Sequence, residues 1–197
     1  MKRALWLSIG RRPARSAGGA PLQPTATDLI MMQTALSLAR KAAERGEVPI
    51  GAAVYRTATG EIYGQGVNRR ETDRDPAGHA EFDAIEQAAS RAGDWRLNEF
   101  TLVVTLEPCA MCAGLIVNAR VGRVVFGAPD PKAGAMGSLM RLTEDERFNH
   151  RVVPIAGVMG EECGLVLTEF FQKLRADRRA ATRTARSRPQ RSRAART

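Results

Sequence analysis

Cysteine and histidine are scarce in this sequence, which has three cysteines and two histidines among 197 residues. A small, odd number of cysteines argues against a disulfide-stapled secreted fold and favours a reducing compartment. Long apolar runs are lacking as well, because none approaches the roughly 18 to 20 residues that a membrane span needs. The 44% of apolar residues suffices for one sizeable core. We therefore expect a single cytoplasmic domain with no membrane segment.

Acidic side chains are nearly missing from the two ends of the chain. Residues 1–27 carry five basic residues and no acid, and residues 172–197 carry ten basic residues against one aspartate. The stretch 28–171 has 15 basic and 20 acidic residues. Basic tails attract polyanions, chiefly nucleic acid, by neutralising phosphates. We interpret 1–27 as a disordered basic extension, with an organelle transit peptide in a eukaryotic source as the alternative. We interpret 176–197 as a basic tail that binds nucleic acid, with solvated disorder as the alternative.

Apolar periodicity between the ends alternates between the helical and the strand type. Helices are predicted at 28–46, 79–91, 110–118 and 161–179, the first capped by Thr27 or Asp28 with Leu29 on its apolar side. Strands are predicted at 49–56, 61–67, 100–106, 122–127 and 152–155. This order predicts an α/β fold in which helices cover both faces of one mixed five-stranded sheet. The first strand pair is a hairpin, hence antiparallel, and the rest is largely parallel.

Two of the cysteines, Cys109 and Cys112, stand in the stretch TLEPCAMC at the start of the third predicted helix. A helix N-terminus lowers the pKa of a thiol, so the two sulfurs suit either a redox pair or half of a zinc site. His79, 30 residues upstream of Cys109, opens the second predicted helix and can serve as a third ligand. One histidine and two cysteines leave the fourth position for water, as in catalytic zinc sites. His150 is interpreted as a hydrogen-bonded loop residue.

Of the two histidines, His79 is the better candidate for the third ligand, because Glu81 lies two positions after it. Side chains in the first turn of a helix can converge just beyond its end, so Glu81 can reach the water of a metal that His79 holds. The combination H-x-E followed by P-C-x-x-C is typical of zinc nucleobase deaminases. It predicts Zn²⁺, one per subunit, held by His79, Cys109 and Cys112, with Glu81 as the catalytic proton shuttle. No organic cofactor is expected. Two further candidates by residue type, Glu107 and Cys163, are interpreted as structural.

Over residues 28–175 the sequence resembles the bacterial tRNA-specific adenosine deaminases of the cytidine deaminase-like superfamily. The matching stretches are GEVPIGA (46–52), GVNR (66–69), DPAGHAE (75–81), TLEPCAMCAG (105–114), RVGRVVFGAPDPKAGAMGSLM (120–140), FNHRV (148–152) and EFF (169–171). The pair HAE and PCxxC also fits guanine and cytosine deaminases, whereas the longer stretches fit the tRNA branch more narrowly. The sequence departs from the family pattern at Gly78 and Phe82, and Pro129 and Pro131 stiffen the loop around Asp130.

The resemblance implies a three-layer α/β/α sandwich, a homodimer with active sites near the subunit interface, and conversion of the wobble adenosine of an arginine tRNA anticodon to inosine. It also implies that Asn68 and the Ala80 backbone hold the flipped adenine. The residues implied to contact the anticodon stem-loop or its phosphates are Asp130, Lys132, Asn149, Phe171, Lys173 and Arg175. Three alternatives stay open: a guanine- or cytosine-type free-base or nucleoside deaminase, a zinc-stabilised RNA-binding protein, and a redox protein.

Overall fold

The structure is a computed structural model that describes residues 22–187. The predictions for 1–21 and 188–197, within the basic extension and the basic tail, lie outside the described residues. The helices are α1 (Ala26–Glu44), α2 (Ala80–Ala92), α3 (Ala110–Asn118) and α4 (Gly160–Ser187). The strands are β1 (Gly51–Arg56), β2 (Ile62–Val67), β3 (Phe100–Leu106), β4 (Arg123–Ala128) and β5 (Ile155–Ala156). A 3₁₀ turn (Leu142–Glu144) lies between β4 and β5.

The five strands form one mixed sheet in the order β2-β1-β3-β4-β5, which confirms the predicted α/β fold. β1 is antiparallel to both β2 and β3, and β3, β4 and β5 are parallel. The β1–β3 pair is a second antiparallel pair in addition to the predicted hairpin, because β3 runs in the direction of β2. The last strand differs from the prediction of 152–155. Val152 N donates instead to Thr143 O at 2.9 Å, so the ladder begins only at Ile155.

Helices cover both faces of this sheet and make three layers. On one face, α2 and α3 pack Ala84 and Ile116 against Leu102 of the central strand. On the other face, α1 and α4 pack against Val103. Successive residues of β3 therefore enter opposite cores, and six of its seven residues are buried. This burial explains why the stretch FTLVVTL is apolar without alternation.

The start of α1 is a correction to the sequence prediction, because Thr25, and neither Thr27 nor Asp28, caps the helix. Thr25 Oγ1 accepts from Asp28 N at 3.2 Å, and the Asp28 carboxylate accepts from Thr25 N at 2.6 Å, which completes a capping box. Asp28 faces the sheet, where it is fully buried. Leu29 consequently points outward and is 43% exposed. The predicted boundary at 27/28 thus falls inside α1.

Close approach between α2 and β2 depends on glycine. A Cβ added to Gly66 would lie 2.0 Å from the carbonyl oxygen of Ala80, and one added to Gly64 would lie 2.1 Å from that of Ala84. Only glycine at alternate positions of β2 lets the helix backbone pack directly on the strand. The Gly66 contact fixes the first residue of α2, which stands between His79 and Glu81.

The final helix extends beyond its predicted end near residue 179, and the predicted boundary at 175/176 falls inside it. Cys163 is buried in the core and Phe171 is 38% exposed, so the apolar side of α4 turns gradually toward solvent. No helix between residues 22 and 187 is long and apolar enough to cross a membrane.

Candidate metal centre

Two helix N-termini meet at one edge of the sheet. β2 and β3 run in the same direction, so their carboxyl ends share that edge, and each leads into a helix. His79 occupies the N-cap position of α2 and Cys109 the N-cap position of α3. Cys112 lies in the first turn of α3 and is buried. Neither N-cap side chain caps its own helix, which leaves the imidazole and the thiol free to face each other.

The three predicted ligands come together as a cluster. His79 Nδ1 lies 3.4 Å from Cys112 Sγ and 3.7 Å from Cys109 Sγ. The three ligand atoms all lie within 4.8 Å of one another. Ligands placed 2.0 to 2.3 Å from a tetrahedral ion are about 3.5 to 3.8 Å apart. The donor set and its spacing therefore fit a zinc ion.

The thiols of the cluster differ in their affinity for protons. A hydrogen bond with Cys112, aided by one with His79, lowers the pKa of Cys109 to about 3. The same hydrogen bond and burial raise the pKa of Cys112. The hydrogen bond to Cys109 raises the pKa of His79. Cys109 is therefore a thiolate at neutral pH, a charge state suited to a cation.

Glu81 stands beside the cluster on the first turn of α2. Its side chain is almost fully enclosed, with 4% of the residue exposed. Burial raises the pKa of the Glu81 carboxyl above its ordinary value. Its interaction with the Cys112 thiol contributes to the raised pKa of that thiol. A carboxyl group with raised proton affinity next to three candidate metal ligands is suited to general acid–base work.

Asn68, the predicted contact to the base, is 5% exposed and comes directly after β2. Its Nδ2 donates to Glu47 Oε2 at 3.0 Å. Glu47 is 1% exposed, and the sequence prediction missed it. A signal was present, since Glu47 is the single charged residue of the stretch GEVPIGA that leads into a buried strand. A buried carboxylate needs partners, so such a position indicates a polar network.

Glu107, which precedes Pro108, organises the loop after β4. Its Oε1 accepts from the backbone N–H groups of Met136 and Ser138 at 3.1 and 2.9 Å. Its Oε2 accepts from Asp130 N at 3.0 Å and from the Ser138 hydroxyl. These bonds confirm the structural interpretation of Glu107.

The same loop lies next to the cluster, because Gly134 pairs with Cys109 through an isolated β-bridge. Asp130 and Lys132, two predicted RNA contacts, are carried on it. Asp130 Oδ1 accepts from Lys132 N at 2.9 Å and from Ala133 N at 3.2 Å, so this carboxylate also shapes its own turn. The Lys132 side chain is exposed.

Cys163 and His150, which were not assigned as metal ligands from the sequence, contact other groups in the structure. Burial raises the pKa of Cys163 to about 12, and its sulfur lies 3.8 Å from that of Met32 in the core. His150 Nε2 lies 2.9 Å from the carbonyl oxygen of Val121. Both interpretations made from the sequence are confirmed.

The other predicted RNA contacts lie on separate elements. Asn149 is exposed in the connection before β5, where its carbonyl oxygen accepts from Arg120 at 2.9 Å. Phe171 packs edge to face on Phe170 with ring centroids 5.4 Å apart. Lys173 and Arg175 are exposed on α4. Among the described residues, none of these four side chains forms a hydrogen bond or ion pair with His79, Cys109 or Cys112, so their role stays a prediction.

The sheet, its two helical layers and the His-Cys-Cys cluster define the class of the deaminases, and the family model of the MafB19-like deaminases matches residues 26–175. The tRNA-specific adenosine deaminase of Bacillus subtilis is 49% identical over 154 residues, which cover 78% of this chain and 94% of that protein. The enzyme of the same name from Haemophilus influenzae is 44% identical over 149 residues, covering 76% and 86%. The chain also aligns with a solved structure from work on A-to-I editing by tRNA:A34 deaminases at the wobble position of transfer RNA. The TM-score is 0.66 and the sequence identity 38%, and the alignment covers 70% of this chain and 98% of the other. The chain belongs to the tRNA-specific adenosine deaminase family.

Proposed function

We propose that this protein deaminates the wobble adenosine of a tRNA anticodon, in an arginine tRNA, to inosine. The observation that carries the proposal is the cluster of His79, Cys109 and Cys112 beside the buried Glu81. Membership of the tRNA-specific adenosine deaminase family supports tRNA as the substrate class.

His79, Cys109 and Cys112 would hold one Zn²⁺ per subunit, because one imidazole and two thiolates are a ligand set of catalytic zinc sites. When bound, the ion supplies the Lewis acidity that lets water react as a nucleophile near neutral pH. The low pKa of Cys109, about 3, provides a thiolate for the ion without an added base.

Glu81 would carry the protons of the reaction. Hydrolytic deamination forms a bond between the water oxygen and C6 of adenine and breaks the bond from C6 to the amino nitrogen, which leaves as ammonia. Glu81 takes a proton from water and delivers it to a ring nitrogen of the base, then takes the second proton from the new C6 hydroxyl and passes it to the departing amine. Burial raises the pKa of Glu81, and a carboxyl group with raised proton affinity is suited to holding a proton between the two transfers.

The substrate would be held as a flipped base. Asn68 and the Ala80 backbone hold the adenine, and the unpaired nucleotides of an anticodon loop can leave the stack at little cost. Other proposed contacts to the stem-loop are Asp130, Lys132, Asn149, Phe171, Lys173 and Arg175. The exposure of Lys132, Lys173 and Arg175 supports a role in contacting phosphates.

We further infer a homodimer in the cytoplasm, where the tRNA substrate and a reducing environment coincide. Three exposed apolar side chains support a subunit interface near the cluster. Met111 lies in the first turn of α3, and Leu139 and Met140 follow the loop that Glu107 organises, with exposures of 38%, 57% and 47%. Sedimentation velocity measures the subunit number, and a monomer at micromolar concentration would contradict the dimer.

The substrate class is tested by comparing four substrates with the zinc-loaded protein. These are a stem-loop with adenosine at the wobble position, the same stem-loop with that adenosine moved elsewhere in the loop, free adenosine and free guanine. Ammonia release and inosine content are measured for each. We expect inosine in the first stem-loop alone. If kcat/KM for free guanine or adenosine exceeds that for the stem-loop, the free-base or nucleoside deaminase replaces this proposal.

A further inference from the structure

A buried carboxylate and a buried amide meet directly after β2, the strand on which α2 begins. Glu47 lies between α1 and β1, and Asn68 lies 21 positions later at the end of β2. The hairpin brings them together, and Asn68 N donates to Ile50 O at 3.0 Å. The Asn68 backbone is thereby fixed to the segment that carries Glu47. The side-chain bond from Asn68 Nδ2 to Glu47 Oε2 then adds a second attachment.

We propose that Glu47 is a positioning residue, which holds the Asn68 amide in one of its two orientations and so sets the order of donor and acceptor that Asn68 offers to the base. An ionised carboxylate only accepts hydrogen bonds, so Nδ2 must be the amide group that faces it. Asn68 Oδ1 and the second Nδ2 proton are left for the substrate. This inference rests on the proposed function, in which Asn68 contacts the flipped adenine.

The second oxygen of Glu47 is also held, which prevents the carboxylate from turning away. Glu47 Oε1 accepts from Thr72 N at 2.5 Å, in the connection that leads to His79. Burial acts to raise the pKa of Glu47, but hydrogen bonds from Thr72 and Glu71 and the charge of Arg70 lower it below its ordinary value. Glu47 is therefore an anion at neutral pH, acceptor-only on both sides.

The free end of the Asn68 amide is accessible. Its Oδ1 has no hydrogen-bond partner among the described residues and keeps some exposure, since within residues 22–182 the only buried side-chain nitrogen or oxygen without a partner is Arg56 Nε. Recognition of a base edge requires an acceptor whose orientation is fixed by the protein and which is free to accept a hydrogen bond from the base.

Replacing Glu47 by Gln keeps the shape of the side chain but replaces one of its two acceptor oxygens by a donor NH2 group. If the oxygen of the new amide stays on Thr72 N, the nitrogen of that amide meets Asn68 Nδ2, donor against donor. A half-turn of the Asn68 amide relieves this conflict and inverts the pattern shown to the base. We expect kcat/KM for the wobble-adenosine stem-loop to fall about 10- to 100-fold, the usual loss when a group that orients a functional side chain is removed.

A double-mutant cycle tests whether Glu47 acts through Asn68. The variants are Glu47→Gln, Asn68→Ala, their combination, and Glu44→Gln as an exposed control at the end of α1. We expect the combination to be no slower than Asn68→Ala alone, and Glu44→Gln to stay within about twofold of wild type. Losses that multiply in the combination would overturn the proposal.

A second measurement needs no catalysis and reads the amide directly. In protein labelled with ¹⁵N-asparagine, side-chain amide signals arise from Asn68 and from three exposed residues, Asn98, Asn118 and Asn149. The Asn68 signals are identified by their loss in Asn68→Ala. The two Nδ2 protons of Asn68 give separate signals, and we expect the proton bonded to Glu47 to exchange with solvent at least tenfold more slowly than the amide protons of the other three, and to shift in Glu47→Gln.

The two experiments distinguish a failure of the proposed function from a failure of the positioning role of Glu47. If wild type deaminates no RNA, the proposed function fails, while the exchange of the Asn68 amide still decides whether Glu47 orients it. If Glu47→Gln does not fold, the wild-type exchange rates decide alone. Exchange of Asn68 as fast as that of the three exposed asparagines would overturn the positioning role.

Discussion

The thiol group serves two purposes in this chain, which makes cysteine substitutions informative. Cys112 belongs to the candidate metal cluster, whereas Cys163 packs against Met32 in the core between α1 and α4. We predict that Cys112→Ser lowers the zinc content from about one ion per subunit to near zero, because a tetrahedral site loses one of three protein ligands. Elemental analysis of the purified protein measures this. Cys163→Ala should keep its zinc, and a Cys112→Ser protein with a full complement of zinc would contradict the cluster.

Asp28 anchors α1 to the sheet and is the residue on which we expect stability to depend most clearly on pH. Its carboxylate, fully buried, accepts from Tyr55 at 2.6 Å and from Arg123 at 2.6 and 2.7 Å. Burial acts to raise the pKa of Asp28, but the bonds from Arg123 and Tyr55 outweigh it, and the pKa lies below 3.8. The stabilisation is therefore complete above the unfolded-state pKa and is lost as pH falls through the lower folded-state pKa.

Asp28→Asn should lower the free energy of unfolding at pH 7 by about 3 kcal/mol, since it leaves Arg123 without its anion. The difference from wild type should shrink below about pH 4. Urea unfolding at several pH values measures both effects. Asp94→Asn, which removes an exposed partner of Arg96, is the control and should change stability by less than about 1 kcal/mol. A gap that widens toward acid would contradict this account.

Single residues also show what the sequence can indicate. His79, Glu81, Cys109 and Cys112 were predicted from the H-x-E and P-C-x-x-C signature, and the structure brings the ligand atoms of His79, Cys109 and Cys112 within 4.8 Å of one another. The position of Glu47 in a buried stretch indicated a polar network, but its partner Asn68 could not be predicted, because only the β1–β2 hairpin brings the two together. The bond from Asn68 Nδ2 to Glu47 crosses 21 positions of sequence. A local pattern carries no information about such a partner.

The packing of α2 on β2 decides the position of the whole cluster. A methyl group on Gly66 would lie 2.0 Å from Ala80 O, so the helix start must move. We predict that Gly66→Ala displaces His79 and Glu81 and lowers both zinc content and deamination at least tenfold. Gly114→Ala, within α3, has no heavy atom within 4 Å of its added Cβ and is the matched control. It should keep the zinc and gain up to about 1 kcal/mol of stability. Full zinc retention in Gly66→Ala would contradict this view.

Element boundaries were harder to predict than element types, and hydrogen bonds explain why. α1 begins earlier because Thr25 and Asp28 form a reciprocal cap, whereas the sequence offers two other capping residues next to them. β5 is shorter because Thr143 takes the N–H of Val152. α4 continues to Ser187 through a basic stretch that has little apolar periodicity to indicate a helix.

Charge across the whole chain separates a mildly acidic body from basic ends. If the C-terminal tail neutralises about six phosphates, the log–log slope of single-stranded RNA affinity against salt should be about −4. Four of its arginines lie beyond the described residues: Arg188, Arg191, Arg193 and Arg196. Replacing them by serine should reduce the slope by about 3, whereas replacing them by lysine should leave it unchanged. Fluorescence anisotropy at several salt concentrations measures the slope, and an equal slope for the serine variant would exclude these four arginines from binding.

The whole molecule is proposed to carry out one reaction at one nucleotide, the wobble adenosine. The direct measurement incubates the zinc-loaded protein with an arginine tRNA that has adenosine at the wobble position, and maps inosine by sequencing. Glu81→Gln is run beside it, with zinc content measured in both and the exposed Glu86→Gln as control. We predict inosine at the wobble position alone, at a rate about 10² to 10⁴ times lower in Glu81→Gln and unchanged in Glu86→Gln. Equal rates in wild type and Glu81→Gln, or no inosine from zinc-loaded wild type, would contradict this proposal.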